Sequence, residues 1–190
     1  MPRGCLHNER HSQATPRDIV SQFLARIVGL VLLRNGPQEL PASRQMLMTA
    51  AGVYILIGTL ALLPGSEDAL AALAANVLDV AVLFLYTRAL LGLAGHTGRF
   101  LQVALAVLLV NIVFSLVAWP LMLSLPAMGS SQASGWQLIW MVVLLWNIAA
   151  VAHIYRHAMG FRLAGGVAVA LGYLILSTLV VTLFLAAGDF

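Results

Sequence analysis

Five long apolar runs, separated by short loops, are the feature that most constrains this chain of 190 residues. A bilayer core about 30 Å thick is crossed by about 20 consecutive apolar residues in helical form. The runs cover residues 46–63, 69–94, 100–125, 136–158 and 164–187. Because backbone groups inside lipid must be hydrogen-bonded within their own segment, runs of this length predict helices. The sequence therefore predicts an all-α fold: a polytopic membrane protein with a five-helix transmembrane bundle.

Composition supports this class and limits what else the chain contains. Apolar residues make up 61% of the sequence and charged residues 9%, whereas charged residues are about a quarter of a soluble domain. We predict a polar N-terminal arm (1–14), an amphipathic helix (15–35) and a five-span transmembrane domain (36–190). Cys5 is the one cysteine, so no intrachain disulfide is expected.

The arginines predict the orientation in the membrane. All ten basic residues are arginine, and a five-span topology places them on one side of the bilayer. The opposite side carries Glu67, Asp68 and Asp189 and no basic residue. Basic residues near span ends stay cytoplasmic, so we expect a cytoplasmic N-terminus and an external C-terminus. Arginine in place of lysine, with abundant alanine and leucine, suggests a bacterial protein of the inner membrane. The ten are Arg3, Arg10, Arg17, Arg26, Arg34, Arg44, Arg88, Arg99, Arg156 and Arg162.

The segment before the first span predicts an interfacial amphipathic helix. Thr15-Pro16-Arg17-Asp18 supplies an N-cap, a proline at the first helical position and an early acid. Asn35-Gly36-Pro37 supplies a stop signal. Such a helix either lies on the cytoplasmic membrane surface and binds a partner, or anchors the base of the bundle. Its apolar face consists of Ile19, Phe23, Ile27, Leu30 and Val31, and its polar face of Asp18, Ser21, Gln22 and Arg26.

Polar residues at membrane depth are the first candidates for chemistry. Asp79, Asn111 and Asn147 each lie about eleven residues into their spans, roughly 16 Å deep. Asn76 shares a helical face with Asp79. A buried acid costs at least about 2.5–3.5 kcal/mol on insertion scales, so we expect Asp79 to contact Asn111 or Asn147. The cluster is then either a proton or cation site, or a hydrogen-bonded knot that fixes helix register.

A second candidate set lies at the cytoplasmic ends of the helices. His153 and His157 are four residues apart and share one helical face, a spacing that permits metal chelation. His96 lies in the other cytoplasmic loop, and the arm adds Cys5, His7 and His11. No third ligand follows at a fixed short spacing, so we expect no bound metal and no cofactor. The set instead predicts contacts with headgroups or partners, through Arg26, Arg34, Arg88, Arg99, His153, Arg156, His157 and Arg162.

The end of the chain also resembles a known family. The stretch WQLIWMVVLLWNIAAVAHIYRHAMGFRLAGGVAVALGYLILSTLVV (136–181) is similar to the last two spans of the Yip1 family in its bacterial form. LLRNGPQELPASRQML (32–47) resembles a stretch of short proteobacterial members. The resemblance implies five spans with the N-terminus inside. Eukaryotic members bind small GTPases and trafficking factors and influence membrane shape, but this chain lacks their long cytoplasmic domain and an intact D-L-Y-G-P-type motif.

These patterns leave two function classes. The sequence has no G-x-S-x-G, H-E-x-x-H, P-loop or G-x-G-x-x-G motif, and Asp79 is the one acid at membrane depth, so we expect no enzyme. The sequence favours the first class, a non-enzymatic protein that organises membrane or partner proteins through its cytoplasmic face. The second is a small transporter or channel that uses the cluster around Asp79. The expected partners are the lipid bilayer and a membrane protein or second copy of the chain, and no nucleic acid.

Overall fold

The computed structural model describes residues 16–63, 68–124 and 133–188, which form six α-helices and no strand. Helices α2 to α6 are each long and apolar enough to cross a membrane. The all-α polytopic bundle is thereby confirmed, and the chain is an integral membrane protein. The helices are α1 (Pro16–Val31), α2 (Arg44–Leu62), α3 (Ala69–Leu93), α4 (Phe100–Ser124), α5 (Ala133–Met159) and α6 (Leu163–Gly188).

The helix ends follow from local sequence signals. The Ser43 side chain accepts a hydrogen bond from the Met46 amide at 3.3 Å and so caps the start of α2. Asp68 caps α3 in the same way through the Leu70 amide at 2.8 Å. Helices α3 and α5 each stop at a glycine in the left-handed region, Gly95 at φ 73° and Gly160 at φ 70°.

The five spans form a closed ring. The main helix contacts join α2 to α3, α3 to α6, α6 to α5, α5 to α4, and α4 back to α2. Successive spans alternate in direction, so Arg44, Arg88, Arg99, Arg156 and Arg162 share one end of the bundle, which we call the arginine end. Towards this end the ring is filled: residues 103–108 of α4 are completely buried.

Helix α1 is shorter than expected, and its last turn packs beside the middle of α5. It ends at Val31, before the predicted stop at 35–37, because Leu33 adopts a left-handed conformation at φ 58°. The Arg34 amide then bonds back to the Gly29 carbonyl at 2.8 Å, which closes the helix end. The Trp146 indole donates to the Val31 carbonyl at 3.0 Å. Since Trp146 lies half-way along α5, the C-terminal end of α1 packs beside the middle of that span.

The faces of α1 are divided between the bundle and its surroundings. Leu30 is buried in the core, and Phe23 and Val31 pack against that core, as their predicted face requires. A second apolar stripe (Val20, Leu24, Val28) is exposed, and Ser21, Gln22 and Arg26 are exposed as well. The side chains of Asp18 and Ile19 and the whole arm 1–14 lie outside the described residues. Helix α1 thus has a bundle-facing, an exposed apolar and a polar side.

Candidate functional site: an acid in a central cavity

The other half of the ring surrounds a partly open cavity instead of a filled core. Its volume is about 430 Å³, and its lining runs from the middle of the bundle towards the end opposite the arginines. We call it the central cavity. Every span contributes one or more polar residues to its wall: Tyr54 from α2, Asn76 and Asp79 from α3, Asn111 and Ser115 from α4, Asn147 from α5, and Tyr173, Ser177, Thr178 and Thr182 from α6.

Asp79 is the centre of the polar wall. Its Oδ2 accepts a hydrogen bond from the Tyr54 hydroxyl at 2.7 Å. Its Oδ1 accepts one from the Tyr173 hydroxyl at 3.0 Å and another from the Ser177 hydroxyl. We call these four residues the hydroxyl cluster. It joins α2, α3 and α6 through one carboxylate.

The expected contact between Asp79 and an asparagine is wrong. Asn147 donates from its Nδ2 to Asn111 Oδ1 at 3.1 Å, so the two asparagines pair with each other across α4 and α5. Asn76 Nδ2 bonds within its own helix, to the Ala72 carbonyl at 2.8 Å. The ring explains the difference: α3 lies between α2 and α6, so Asp79 meets their side chains before it can reach α5. All four predicted polar residues nevertheless line the same cavity.

The three hydroxyl partners of Asp79 were not among the sequence candidates. Tyr173 and Ser177 lie four residues apart on α6, and they continue a face that begins with Gly166 and Ala170. A Cβ atom at Gly166 would lie 2.5 Å from the Ala152 carbonyl oxygen, so this glycine permits the close approach of α5 and α6. Ala164 and Ala168, which lie on another face of α6, are exposed. The signal that could have identified these partners is the face of α6 on which the small residues Gly166 and Ala170 are followed by Tyr173 and Ser177.

Beneath the cavity, tyrosines fill the space towards the arginine end. The Tyr86 hydroxyl donates to the Val169 carbonyl at 2.8 Å, and its ring lies 6.0 Å from that of Tyr173 and 6.3 Å from that of Tyr155. The Tyr155 and Thr87 hydroxyls bond to each other at 2.8 Å, and both residues are fully buried. These side chains bond to one another or to backbone and not to Asp79.

The residues predicted to form an interaction surface differ in their exposure. Arg26, Arg34, Arg88, Arg99, Arg162 and His157 are exposed and Arg156 is half-buried. His153 is only 8% exposed, so its assignment to the surface is wrong: it faces inward, within reach of the Asn35 backbone. Arg99 also has a structural partner, since it donates to the Ala158 carbonyl at 3.0 Å and caps the end of α5.

The histidines form a pair. The His153 and His157 rings are 4.3 Å apart and meet edge to face. Within residues 16–63, 68–124 and 133–188, no group of three or more histidine, cysteine, aspartate or glutamate side chains is placed to hold a metal ion. Cys5, His7 and His11 lie outside those ranges. The described histidines therefore give no geometric basis for a metal centre.

Comparison with protein-family models, with curated proteins and with solved structures finds no match to this chain. The function of this chain is therefore inferred from the chemistry of the central cavity and of the arginine end.

Proposed function

We propose that the chain is a small transporter or channel that binds a solute in the central cavity. The observation that carries this proposal is the convergence of polar side chains from all five spans on one cavity of about 430 Å³. Ligand pockets commonly measure about 300–1,000 Å³ and combine apolar walls with a few convergent polar groups. An acid at membrane depth is itself a functional candidate, because it is costly to insert.

The size of the cavity argues against a purely structural knot. A register-fixing hydrogen bond needs tight packing around it and no open space. The cavity of about 430 Å³ is partly open to its surroundings, so water, lipid or a ligand can enter it.

Cysteine labelling tests whether the cavity is reached by solutes. Cys5 is first changed to serine, and then Ser115→Cys and Leu116→Cys are compared in intact vesicles. Ser115 lines the cavity, whereas the neighbouring Leu116 is half-exposed on the outer face of α4. We expect a membrane-impermeant thiosulfonate to modify the cysteine at 115 and not that at 116. Equal reaction at both positions, or none at either, would remove the basis for a solute-accessible cavity.

Flux measurements test transport itself. Reconstituted vesicles are given a proton, sodium or potassium gradient, and dye-reported flux is compared for the native chain, Asp79→Asn and Asp68→Asn. Asp68 is the matched control, because it lies on the same helix but caps its exposed end outside the cavity. A transport role predicts loss with Asp79→Asn and native flux with Asp68→Asn. If native vesicles pass none of these ions, the channel form of the proposal is refuted.

A second candidate function is membrane organisation of the Yip1 type, for which α1 supplies the observation. Its exposed apolar stripe (Val20, Leu24, Val28) lies beside the exposed Arg26, a combination that suits a lipid surface or a partner helix. In this form the protein is non-enzymatic, lies in a bacterial inner membrane with the arginine end in the cytoplasm, and matches the resemblance at 32–47 and 136–181.

Removal of residues 1–35 separates the two candidates. The organiser predicts that a stoichiometric protein partner co-purifies with the full chain and is lost on truncation, while Asp79→Asn retains it. The transporter predicts that flux is retained after truncation and lost with Asp79→Asn. A truncated protein that keeps every co-purifying partner contradicts the organiser.

A further inference from the structure

The charge of Asp79 has no counter-charge within the described part of the bundle. Its described hydrogen-bond partners are three neutral hydroxyls. The arginines of the spans and their flanking loops lie at the arginine end, and Arg88, nine positions further along α3, is exposed there. An unpaired carboxylate away from water is strongly unfavourable. Among the described residues that line the cavity, Asp79 is the one acid and no side chain is basic.

The hydrogen-bond directions sharpen this point. A tyrosine or serine hydroxyl has one proton to donate. The hydroxyls of Tyr54, Tyr173 and Ser177 all direct that proton to Asp79. Their oxygens and the carboxylate therefore present only lone pairs to anything else in the cavity. This part of the wall accepts hydrogen bonds and offers none, so it favours a cation or a strong donor and disfavours an anion.

The remaining walls select the type of cation. Most of the cavity lining is apolar, and it includes the rings of Phe114 and Trp140 as well as those of Tyr54 and Tyr173. Aromatic faces attract ammonium groups and also bury apolar substituents. An inorganic divalent ion instead requires a shell of about six to eight oxygens at close range, which a wide apolar cavity does not provide.

We propose that the central cavity binds a monovalent organic cation, with its ammonium group at Asp79 and its apolar part between Phe114 and Trp140. The inference rests on the proposed solute-binding function and names the substrate class. Asp79 supplies the charge, the three hydroxyls hold its carboxylate in place, and the aromatic rings supply the contact with the apolar part.

The test compares three probes of similar size and different charge. Benzyltrimethylammonium is titrated into the full-length protein in mild detergent and followed by calorimetry. Neopentylbenzene, the neutral carbon isostere, and benzenesulfonate, an anion, are titrated in parallel. We expect saturable binding of one ammonium probe per chain and at least tenfold weaker binding of the other two. Asp79→Asn should weaken ammonium binding at least tenfold, and Asp68→Asn should leave it unchanged.

A second variant provides a test of the inference even if the Asp79→Asn protein does not fold. Trp140→Leu retains the charge of the site but removes one ring that contacts the apolar part of the probe, so it should weaken binding of the ammonium probe several-fold; unchanged binding would contradict the placement of the apolar part beside Trp140. Thermal unfolding of each variant establishes that it is folded before titration.

The outcomes separate this inference from the broader proposal. If the neutral isostere binds as tightly as the ammonium probe and Asp79→Asn changes neither, the cation inference is overturned and solute binding stands. Sodium or potassium binding that depends on Asp79 and is not displaced by the ammonium probe also overturns it, in favour of an inorganic ion. If no probe binds and the cysteine at 115 stays unlabelled, both proposals fail.

Discussion

The bond between Tyr173 and Asp79 provides the sharpest test of the site geometry. Tyr173→Phe removes one hydroxyl that donates to Oδ1 at 3.0 Å and leaves the ring packed in a buried position. A hydrogen bond to a charged group is worth about 1.5–3 kcal/mol in soluble proteins. Measured inter-helix bonds in a membrane protein average about 0.6 and reach about 1.7 kcal/mol. We therefore expect a loss of about 1–2 kcal/mol in the free energy of unfolding.

A double-mutant cycle isolates that bond from other effects of the substitution. In an Asp79→Leu background the acceptor is gone, so Tyr173→Phe should cost nearly nothing. The free energy is measured by unfolding in mixed micelles with increasing dodecyl sulfate, followed by tryptophan fluorescence. Tyr86→Phe is the matched control, because its hydroxyl donates to the Val169 carbonyl and not to Asp79. Its cost should be the same in both backgrounds.

The refuting result is additivity. Distant, independent substitutions add within about 0.3–0.5 kcal/mol. If Tyr173→Phe costs the same with and without Asp79 to within that margin, the hydroxyl does not bind the carboxylate. The hydroxyl cluster would then not be the centre of the site.

Three further substitutions, two of them paired with a control variant, test the surrounding architecture. Gly166→Ala should destabilise the bundle by about 1–3 kcal/mol, because its Cβ would lie 2.5 Å from the Ala152 carbonyl oxygen. The control is Gly92→Ala, because Gly92 has open space around it. This control should raise the free energy of unfolding by up to about 1 kcal/mol in the same assay. Trp146→Phe removes the donor to the Val31 carbonyl, so it should lower the free energy of local unfolding of α1 by about 1 kcal/mol. The amides of α1 should then exchange hydrogen roughly fivefold faster, and unchanged exchange would contradict the docking described for α1. Ser43→Ala should lower stability by about 1 kcal/mol through loss of the α2 cap, whereas Ser43→Asp should retain it.

The sequence alone identified which polar residues reach membrane depth, and not which of them touch. Asp79, Asn111 and Asn147 were recognised from their distance along each span, because rise per residue is fixed in a helix. Their pairing was wrong, since it depends on the order of helices around the ring. Tyr54, Tyr173 and Ser177 were missed because tyrosine and serine are common in apolar helices and carry no charge to mark them.

Helix α1 shows the same division. Its buried face agrees with the apolar spacing, whereas the predicted N-cap at Thr15 lies outside the described residues. Its end does not agree with the predicted stop, because Leu33 takes a left-handed conformation that favours glycine, and the sequence offered a glycine three residues later. Docking against Trp146 compensates for the local cost, and that contact joins residues 115 positions apart.

The sequence by itself determined that this chain has five helices able to cross a membrane, with the arginines that flank those spans at one end. That result needs only the length of each apolar run and the cost of exposing backbone groups and charges to lipid. The tertiary structure decided that the five spans close into a ring, filled at the arginine end and hollow at the other, with Asp79 held by three hydroxyls. Spans that are apolar on every side leave no periodic signal for which face meets which neighbour, so only packing between helices could select the partners of Asp79.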